Sequence, residues 1–211
     1  LEQDIPLLGI RIPASQLRRF WQMLAHLHGK LWNASQIAAS MGMNVASIRH
    51  YLDILADTFM VRVLPPYHAN LGKRLVKSPK VYLRDAGLLH ALLGIGSYDD
   101  LLSHPVVGAS WEGLVIEHLI GHAEPGSQAF FYRTAAGAEL DLVIDSPPDM
   151  LGYEVKFGLA PKPGKGYHHA IADLGIDAGQ IVYTGEDQYR LSRDAMVTSL
   201  AGALGRNSDA Q

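Results

Sequence analysis

The hydrophobic pattern changes its period about halfway along the 211-residue chain. In the first half, apolar residues recur every three or four positions, which is the spacing of one face of an α-helix. Glycines such as Gly29 and Gly42 follow these runs and are typical of helix ends. In the second half, short apolar runs bounded by Gly or Pro are typical of β-strands. The change predicts a helical unit followed by an α/β unit.

The first half has the element order of a winged helix. The predicted helices cover residues 16–28, 35–41, 45–57 and 86–93, and the predicted strands cover residues 60–64 and 80–84. Asn44 is a suitable N-cap for the helix at 45–57, and Gly42 provides the tight turn of a helix-turn-helix. We therefore predict a winged-helix domain over residues 1–95, with another kind of small helical bundle as the alternative.

The second half has the order αβββαβ, followed by a last helix. The predicted helices cover residues 109–122, 167–174 and 194–204, and the predicted strands cover residues 129–133, 139–145, 153–157 and 180–183. This order predicts a mixed sheet flanked by helices, so the fold class is α/β (α+β). We place this second domain at residues 96–211.

Two charged residues alternate with apolar ones in the strand YEVKF. Because successive side chains of a strand point to opposite faces, Glu154 and Lys156 share one face. Tyr153, Val155 and Phe157 are predicted to share the other face, in the core. A solvated ion pair on an exposed strand is the alternative interpretation of Glu154 and Lys156.

A second carboxylate is predicted beside Glu154. The strand ELDLVID places Asp141 on the face opposite to Leu140, Leu142 and Ile144. If this strand and the next form a hairpin, Asp141 and Glu154 lie on adjacent strands and on the same face. Two carboxylates this close repel each other unless a hard cation lies between them.

Glu112 is the candidate for a third carboxylate. It lies on the apolar stripe of the helix at 109–122, where a charged group is costly without a partner. Glu117 points well away from that stripe, so we favour Glu112 as a metal ligand. An all-carboxylate set without His or Cys suits Mg²⁺ or Mn²⁺ rather than zinc.

These residues together predict metal-dependent phosphodiester hydrolysis. Glu112, Asp141 and Glu154 are the predicted metal ligands. Asp141, Glu154 and Lys156 are the predicted catalytic residues, with Lys156 contacting a phosphate or holding the attacking water. The metal would polarise a phosphoryl oxygen and lower the pKa of a bound water.

A long motif in the first half resembles a known family. The motif N-x-x-KR-x-x-KSPK-x-Y-x-x-D-x-GL runs from Asn70 to Leu88. From about Phe20 to Gly158, the chain is similar to the C-terminal region, DUF4143, of a prokaryotic family of AAA-type ATPases. The resemblance implies a winged helix followed by a restriction-endonuclease-like, PD-(D/E)XK nuclease domain. The residues that match the nuclease pattern are Glu112, Asp141, Glu154 and Lys156.

The resemblance also implies a P-loop ATPase domain as a partner. The chain contains no G-x-x-x-x-G-K-[ST] loop, so we expect no ATP hydrolysis by this chain alone. A homo-oligomer is left open.

DNA binding would depend on a local basic patch, since the net charge of the chain is −3. The candidate phosphate-contacting residues are Lys73, Arg74, Lys77, Lys80 and Arg84, together with Arg49 on the helix at 45–57. Asp53 and Asp57 on the same helix would repel phosphates. The alternative for the basic cluster is a surface that docks on the ATPase.

The composition predicts a cytoplasmic protein without a membrane span. There is no cysteine, which fits a reducing compartment, and no apolar run of the roughly 18 residues that a span needs. Three functions remain open: a Mg²⁺-dependent DNA endonuclease, a non-catalytic DNA- or protein-binding regulatory module of the ATPase, and a winged-helix transcription regulator. The last is the weakest because the recognition helix is acidic.

Overall fold

A computed structural model describes residues 13–68 and 75–205. The helices are α1 (Ala14–His26), α2 (Ala34–Met41), α3 (Val45–Asp57), α4 (Ala86–Leu93), α5 (Tyr98–Ser103), α6 (Val107–Gly121), α7 (Tyr167–Leu174) and α8 (Leu200–Gly205). The strands are β1 (Lys30–Leu31), β2 (Val61–Leu64), β3 (Lys80–Leu83), β4 (Gln128–Arg133), β5 (Glu139–Ser146), β6 (Asp149–Lys156), β7 (Gly179–Tyr183), β8 (Tyr189–Ser192) and β9 (Ala195–Ser199). Mixed helices and sheets confirm the predicted α+β class.

The first half packs α1, α2 and α3 against a small antiparallel sheet of order β1-β3-β2. Phe20, Leu24, Ile48 and Leu55 are fully buried in its core. Asn44 caps α3, because its side-chain oxygen accepts a hydrogen bond from the Ser47 amide at 2.7 Å. Strand β1 was not predicted, since two residues are too few to show an alternation.

The second half is a sheet of order β4-β5-β6-β7-β9-β8 between two helical layers. The β4–β5 and β5–β6 pairs are antiparallel, whereas β6–β7 and β7–β9 are parallel. Residues Val115 and Leu119 of α6 and Ala203 of α8 pack in one core cluster. Tyr167 and Ile171 of α7 pack in the other core cluster.

The prediction of one helix over residues 194–204 was wrong. Residues Ala195–Ser199 form β9, and only Leu200–Gly205 is helical. Strand β9 pairs with β7 on one side and β8 on the other, and this pairing outweighs a weak local preference for helix. Strand β8 and helix α5 were also not predicted.

The two halves are joined by backbone and side-chain contacts. Isolated β-bridges connect Pro66 with Phe131 and Leu75 with Thr134. Tyr82 of β3 is fully buried in the core cluster of the second half. Strand β3 thus belongs to the sheet of the first half, and its Tyr82 side chain packs in the core of the second half. Among the residues described above, no helix combines the length and the apolar character needed to cross a membrane.

Candidate functional site

A charged cleft of about 330 Å³ lies where β5 begins and β6 ends. It is lined by residues from both halves of the molecule. The charged lining residues are Lys80, Glu112, Glu139, Asp141, Glu154, Lys156 and Lys165. The four residues that the sequence predicted as a nuclease-like set, Glu112, Asp141, Glu154 and Lys156, all lie in this one cleft.

The ammonium group of Lys80 occupies the centre of the acidic residues. Its Nζ lies 3.2 Å from Glu112 Oε1, 3.3 Å from Asp141 Oδ1 and 3.5 Å from Glu139 Oε1. Lys80 is only 4% exposed. Burial acts to lower the pKa of Lys80, but the charges of Glu112, Asp141 and Glu139 raise it above its ordinary value. Lys80 is therefore a buried, charged residue. We call Lys80, Glu112, Glu139 and Asp141 the Lys80 cluster.

Glu112 extends from α6 into the cleft. The Tyr82 hydroxyl donates a hydrogen bond of 2.5 Å to Glu112 Oε1, the same oxygen that Lys80 contacts. Burial and the nearby charge of Asp141 raise the pKa of Glu112 to about 7. Burial and the charge of Glu112 in turn raise the pKa of Tyr82 well above its ordinary value, so Tyr82 stays a donor.

A register shift in the β4–β5 pair lies next to Asp141. Phe130 pairs with Val143 and Tyr132 pairs with Leu140. The pairing therefore advances by three residues along β5 and by only two residues along β4. A bulge of this kind changes which face the following side chains occupy. The predicted common face of Leu140 and Leu142 was therefore wrong, because Leu140 packs with Val143 in the opposite core cluster.

The hairpin of β5 and β6 brings Asp141 beside Glu154. Leu142 pairs with Tyr153, which makes Asp141 and Glu154 the next residues on the two adjacent strands. Asp141 Oδ2 accepts a hydrogen bond of 3.0 Å from the Val155 amide. Its other oxygen contacts Lys80, so each carboxylate oxygen of Asp141 has a donor.

Glu154 is buried and is held from two sides. Its Oε1 lies 2.7 Å from Lys156 Nζ, and the Gly164 amide donates to its two oxygens at 2.9 and 3.1 Å. A Cβ at position 164 would lie 2.7 Å from Glu154 Oε1, so this approach requires a glycine. Burial acts to lower the pKa of Lys156, but Glu154 raises it. The prediction that Phe157 is a core residue was wrong, since it is 43% exposed.

The cleft does not fit a metal ion while Lys80 is in place. A Mg²⁺ ion lies about 2.1 Å from its oxygen ligands. The gap between Glu112 Oε1 and Asp141 Oδ1 is instead bridged by the Lys80 ammonium. Across residues 13–68 and 75–205, no three His, Asp or Glu side chains are arranged to hold a metal ion. The oxygens are of the type that Mg²⁺ prefers, but the lysine holds the position of the cation.

The predicted phosphate-contacting residues that the structure describes have different surroundings. Lys73 and Arg74 lie outside the described residues. Lys77 and Arg49 are exposed. The assignment of Lys80 to a phosphate-binding surface was wrong, because its ammonium is buried among carboxylates. Arg84 is paired with Glu117 and is not free for a phosphate.

Glu117 forms a second ion-pair group on the same helix. The Arg84 Nε lies 2.8 Å from Glu117 Oε2, and Arg62 Nη2 donates to the same oxygen at 3.0 Å. Arg62 Nε also pairs with Glu117 Oε1. We call Arg62, Arg84 and Glu117 the Glu117 cluster. It links β2 and the end of β3 to α6.

Sequence reasoning missed Lys80 and Tyr82 as partners of Glu112, and Glu139 as a member of the cleft. A signal for the first two exists in the strand KVYL, because Lys80 and Tyr82 are two residues apart and lie on one face of β3. Both side chains reach Glu112. A lysine and a tyrosine at alternate positions of a buried strand indicate a buried acidic partner.

Two family descriptions match the chain. Residues 107–201 match the domain of unknown function DUF4143, and residues 1–99 match the domain of unknown function DUF8612. The predicted resemblance to DUF4143 is thus confirmed for residues 107–201. The resemblance was expected to begin near Phe20, but the first half matches the other family.

The relatives in the comparison are longer proteins. An uncharacterized protein of Mycobacterium bovis and an uncharacterized protein of Mycobacterium tuberculosis are each 43% identical to this chain over 192 residues. The alignment covers 91% of this chain and 43% of each relative, so the chain spans less than half the length of the curated relatives it matches. No solved structure matches the chain.

Proposed function

We propose that this chain is a DNA-processing module whose second half is a PD-(D/E)XK-type, restriction-endonuclease-like domain. The observation that carries the proposal is the meeting of Glu112, Asp141, Glu154 and Lys156 in one cleft. Glu112 comes from α6, and the other three residues come from the hairpin of β5 and β6. Convergence of a Glu-x-Lys pair with two further carboxylates is more specific than any one of these residues alone.

The connections of the second sheet support this proposal. Helix α6 precedes β4, β5 and β6, which pair in antiparallel order, and α7 then leads to β7, which is parallel to β6. This is the αβββαβ order that the nuclease resemblance implies. Strands β8 and β9 extend the sheet at the far edge, away from the cleft.

The cofactor that we propose is Mg²⁺ or Mn²⁺, bound only after Lys80 has left the carboxylates. The chemistry of the oxygen ligands favours these ions. No step of hydrolysis is assigned to a metal in the present arrangement, since Lys80 fills the position of the cation.

We also propose that the first half is a winged helix that contacts DNA. Three helices and a sheet of order β1-β3-β2 support this assignment. Arg49 on α3 and Lys77 before β3 are exposed and are available for phosphates, with Lys73 and Arg74 as further candidates. Asp53 and Asp57 are also exposed on α3, which limits the expected affinity.

We propose that this chain works with an AAA-type ATPase domain in the cytoplasm. The relatives extend well beyond the aligned 43% of their length, which leaves space for an ATPase domain. The absence of cysteine from this chain is compatible with a reducing compartment.

A second candidate function is a non-catalytic regulatory module of that ATPase. The specific observation in its favour is the buried Lys80, which neutralises part of the cleft without a metal. In this case the nuclease-like scaffold would bind DNA or protein without cleaving a bond. The two candidates differ in one measurable property, which is turnover.

The test is a cleavage assay on linear, supercoiled and branched DNA with Mn²⁺ and with Mg²⁺. We expect cleavage by the wild type or by Lys80→Met, and a loss of at least tenfold when Lys156→Ala or Glu154→Gln is added. Lys162→Ala is the matched control, because Lys162 is an exposed lysine of the neighbouring loop. DNA binding without cleavage by either form would reject the hydrolytic proposal and favour the regulatory module. Cleavage that persists in Lys156→Ala would identify a contaminating nuclease.

A further inference from the structure

We propose that Lys80 is a tethered internal cation through which the first half keeps the cleft of the second half closed to divalent metal. The inference rests on the proposed function in so far as the cleft is the hydrolytic site. The arrangement of the lysine itself is independent of that function. No residue of the nuclease-like set predicted from sequence comes from the first half, whereas Lys80 does.

Lys80 belongs to the first half of the molecule. It is the first residue of β3, in the sheet of the first half, and its backbone pairs with Leu31 of β1 and Leu64 of β2. Its side chain crosses to the second half and contacts Glu112, Glu139 and Asp141. The position of the ammonium therefore depends on how the two halves sit against each other.

Lys80 carries one positive charge and contacts three carboxylates, and its side chain is only 6% exposed. Arg133 also pairs with Glu139, and the charge of Lys156 also acts on Glu112 and Asp141. Removing the ammonium leaves Glu112 and Asp141 without the cation that they contact, which is unfavourable. Another cation would then be attracted to the same position.

Lys80 excludes a metal ion by its position and by its charge. The ammonium is within hydrogen-bonding distance of Glu112 Oε1 and Asp141 Oδ1, which are the oxygens that a metal between these residues would use. A divalent ion between these two oxygens would overlap the position of the ammonium and would be repelled by it, so the two cations compete for one position. A metal can therefore bind between Glu112 and Asp141 only when the Lys80 ammonium leaves this position.

Lys80 can withdraw together with the segment that precedes β3. Lys77 and Ser78 of this segment are exposed. Leu75 forms a bridge with Thr134, and the Val76 amide donates a hydrogen bond of 3.0 Å to the Arg133 carbonyl, so these contacts with the second half have to break or move with β3. A shift of β3, or of the whole first half, moves Lys80 out of the cleft. A partner or DNA that binds the first half would then open the cleft.

The test is a titration of the chain with Mn²⁺. Binding is measured by isothermal titration calorimetry and by the electron paramagnetic resonance signal of free Mn²⁺. We expect Lys80→Met to bind one Mn²⁺ at least tenfold more tightly than the wild type. Lys80→Arg retains the charge and should bind as weakly as the wild type, and Lys77→Met is the control for an exposed lysine of the same segment. Adding Asp141→Asn to Lys80→Met should abolish the gain.

Equal Mn²⁺ affinity of the wild type and Lys80→Met would overturn the inference. If Lys80→Met is unfolded without metal, the same titration is read by circular dichroism. Recovery of the folded state by Mn²⁺ then supports the inference, and a chain that stays unfolded at millimolar Mn²⁺ contradicts it. Tight binding by Lys80→Met without DNA cleavage would reject the hydrolytic function but retain the internal cation. Full DNA cleavage by the wild type that is unchanged in Lys80→Met would support the hydrolytic function and reject the internal cation.

Discussion

Helix α6 carries two glutamates, Glu112 and Glu117, that each meet basic side chains of the first half. At Glu117, the arginines Arg62 and Arg84 face one carboxylate. At Glu112, the single ammonium of Lys80 faces three carboxylates, including those of Glu139 and Asp141. The same helix therefore makes one cation-rich contact and one acid-rich contact across the same junction.

The two clusters differ in how their excess charge is stabilised. The side chains of Arg62 and Arg84 are 21% and 32% exposed, so water can solvate the extra positive charge of the Glu117 cluster. The Lys80 side chain is only 6% exposed, and the extra negative charge of its cluster faces a cleft. The Glu117 cluster is thus a structural link. The Lys80 cluster retains excess negative charge at a cleft, and its Glu112 has a raised pKa. Both properties are compatible with the site that we propose.

The largest expected effect is on the Lys80 cluster. We expect Lys80→Met to lower the free energy of unfolding by about 3–5 kcal/mol at pH 7, because it leaves the partly buried carboxylates of Glu112 and Asp141 without the ammonium that they contact. Urea denaturation measures this change, and exposed Lys77→Met should leave the midpoint unchanged. A loss below about 1 kcal/mol would show that the cluster is solvated, as the Glu117 cluster is.

The next effect is a pH dependence that only the Lys80 cluster should have. The pKa of Glu112 is raised from 4.5 to about 7, so the folded state holds this proton more tightly than the unfolded chain does. The stability from the protonated carboxyl is therefore complete below pH 4.5 and is lost as the pH rises to about 7. The loss corresponds to about 3 kcal/mol, at roughly 1.4 kcal/mol per pKa unit.

Glu112→Gln tests this pH dependence. The amide stays neutral and can still accept hydrogen bonds from Lys80 and Tyr82. We expect the variant to lose less stability than the wild type between pH 5 and pH 7 in urea denaturation. Parallel stability curves for the two proteins would show that Glu112 is not the group responsible.

A smaller effect is expected for the Glu117 cluster. Glu117→Gln removes the carboxylate between two arginines, and we expect a loss of about 1–2 kcal/mol because both arginines remain partly solvated. The loss should shrink at high salt, unlike that of Lys80→Met. Glu124→Gln, at an exposed acid beyond the same helix, is the control. A loss as large as that of Lys80→Met would remove the distinction between the clusters.

The smallest effect should come from the outer edge of the Lys80 cluster. Arg133 Nη1 lies 3.7 Å from Glu139 Oε1, and these side chains are 42% and 35% exposed. We expect Arg133→Gln to change the free energy of unfolding by less than about 0.5 kcal/mol, as for other surface pairs. A larger loss of unfolding free energy in urea denaturation would show that the exposed pair of Arg133 and Glu139 also contributes to stability.

Sequence reasoning was most accurate where hydrogen bonds close over a few residues. The predicted bounds of α3, α4 and α7 agree with the structure. In α4, the Asp85 side chain accepts from the Leu88 amide, and Gly94 ends the helix with a positive φ of 71°. These caps are readable because donor and acceptor are near neighbours in the chain.

The same reasoning failed where a strand depends on distant partners. Residues 194–204 have no strong alternation, and their first part becomes β9 through pairing with β7 and β8. Likewise, alternation along β5 predicted the wrong face for Leu140, because the bulge depends on the register with β4. A register shift is set by how two strands meet, which neither strand encodes alone.

The sequence by itself determined that Glu154 and Lys156 share one face of a strand and that Asp141 lies on the neighbouring strand. These relations follow from the repeat of two in a β-strand and from a short hairpin. Only the tertiary structure decided that Lys80 joins them, because its partner Glu112 is 32 residues away and Asp141 is 61 residues away. The burial of Lys80 depends on the packing of the two halves, which no local sequence pattern shows. The sequence therefore predicted a surface lysine, whereas the structure shows a buried counterion of the cleft.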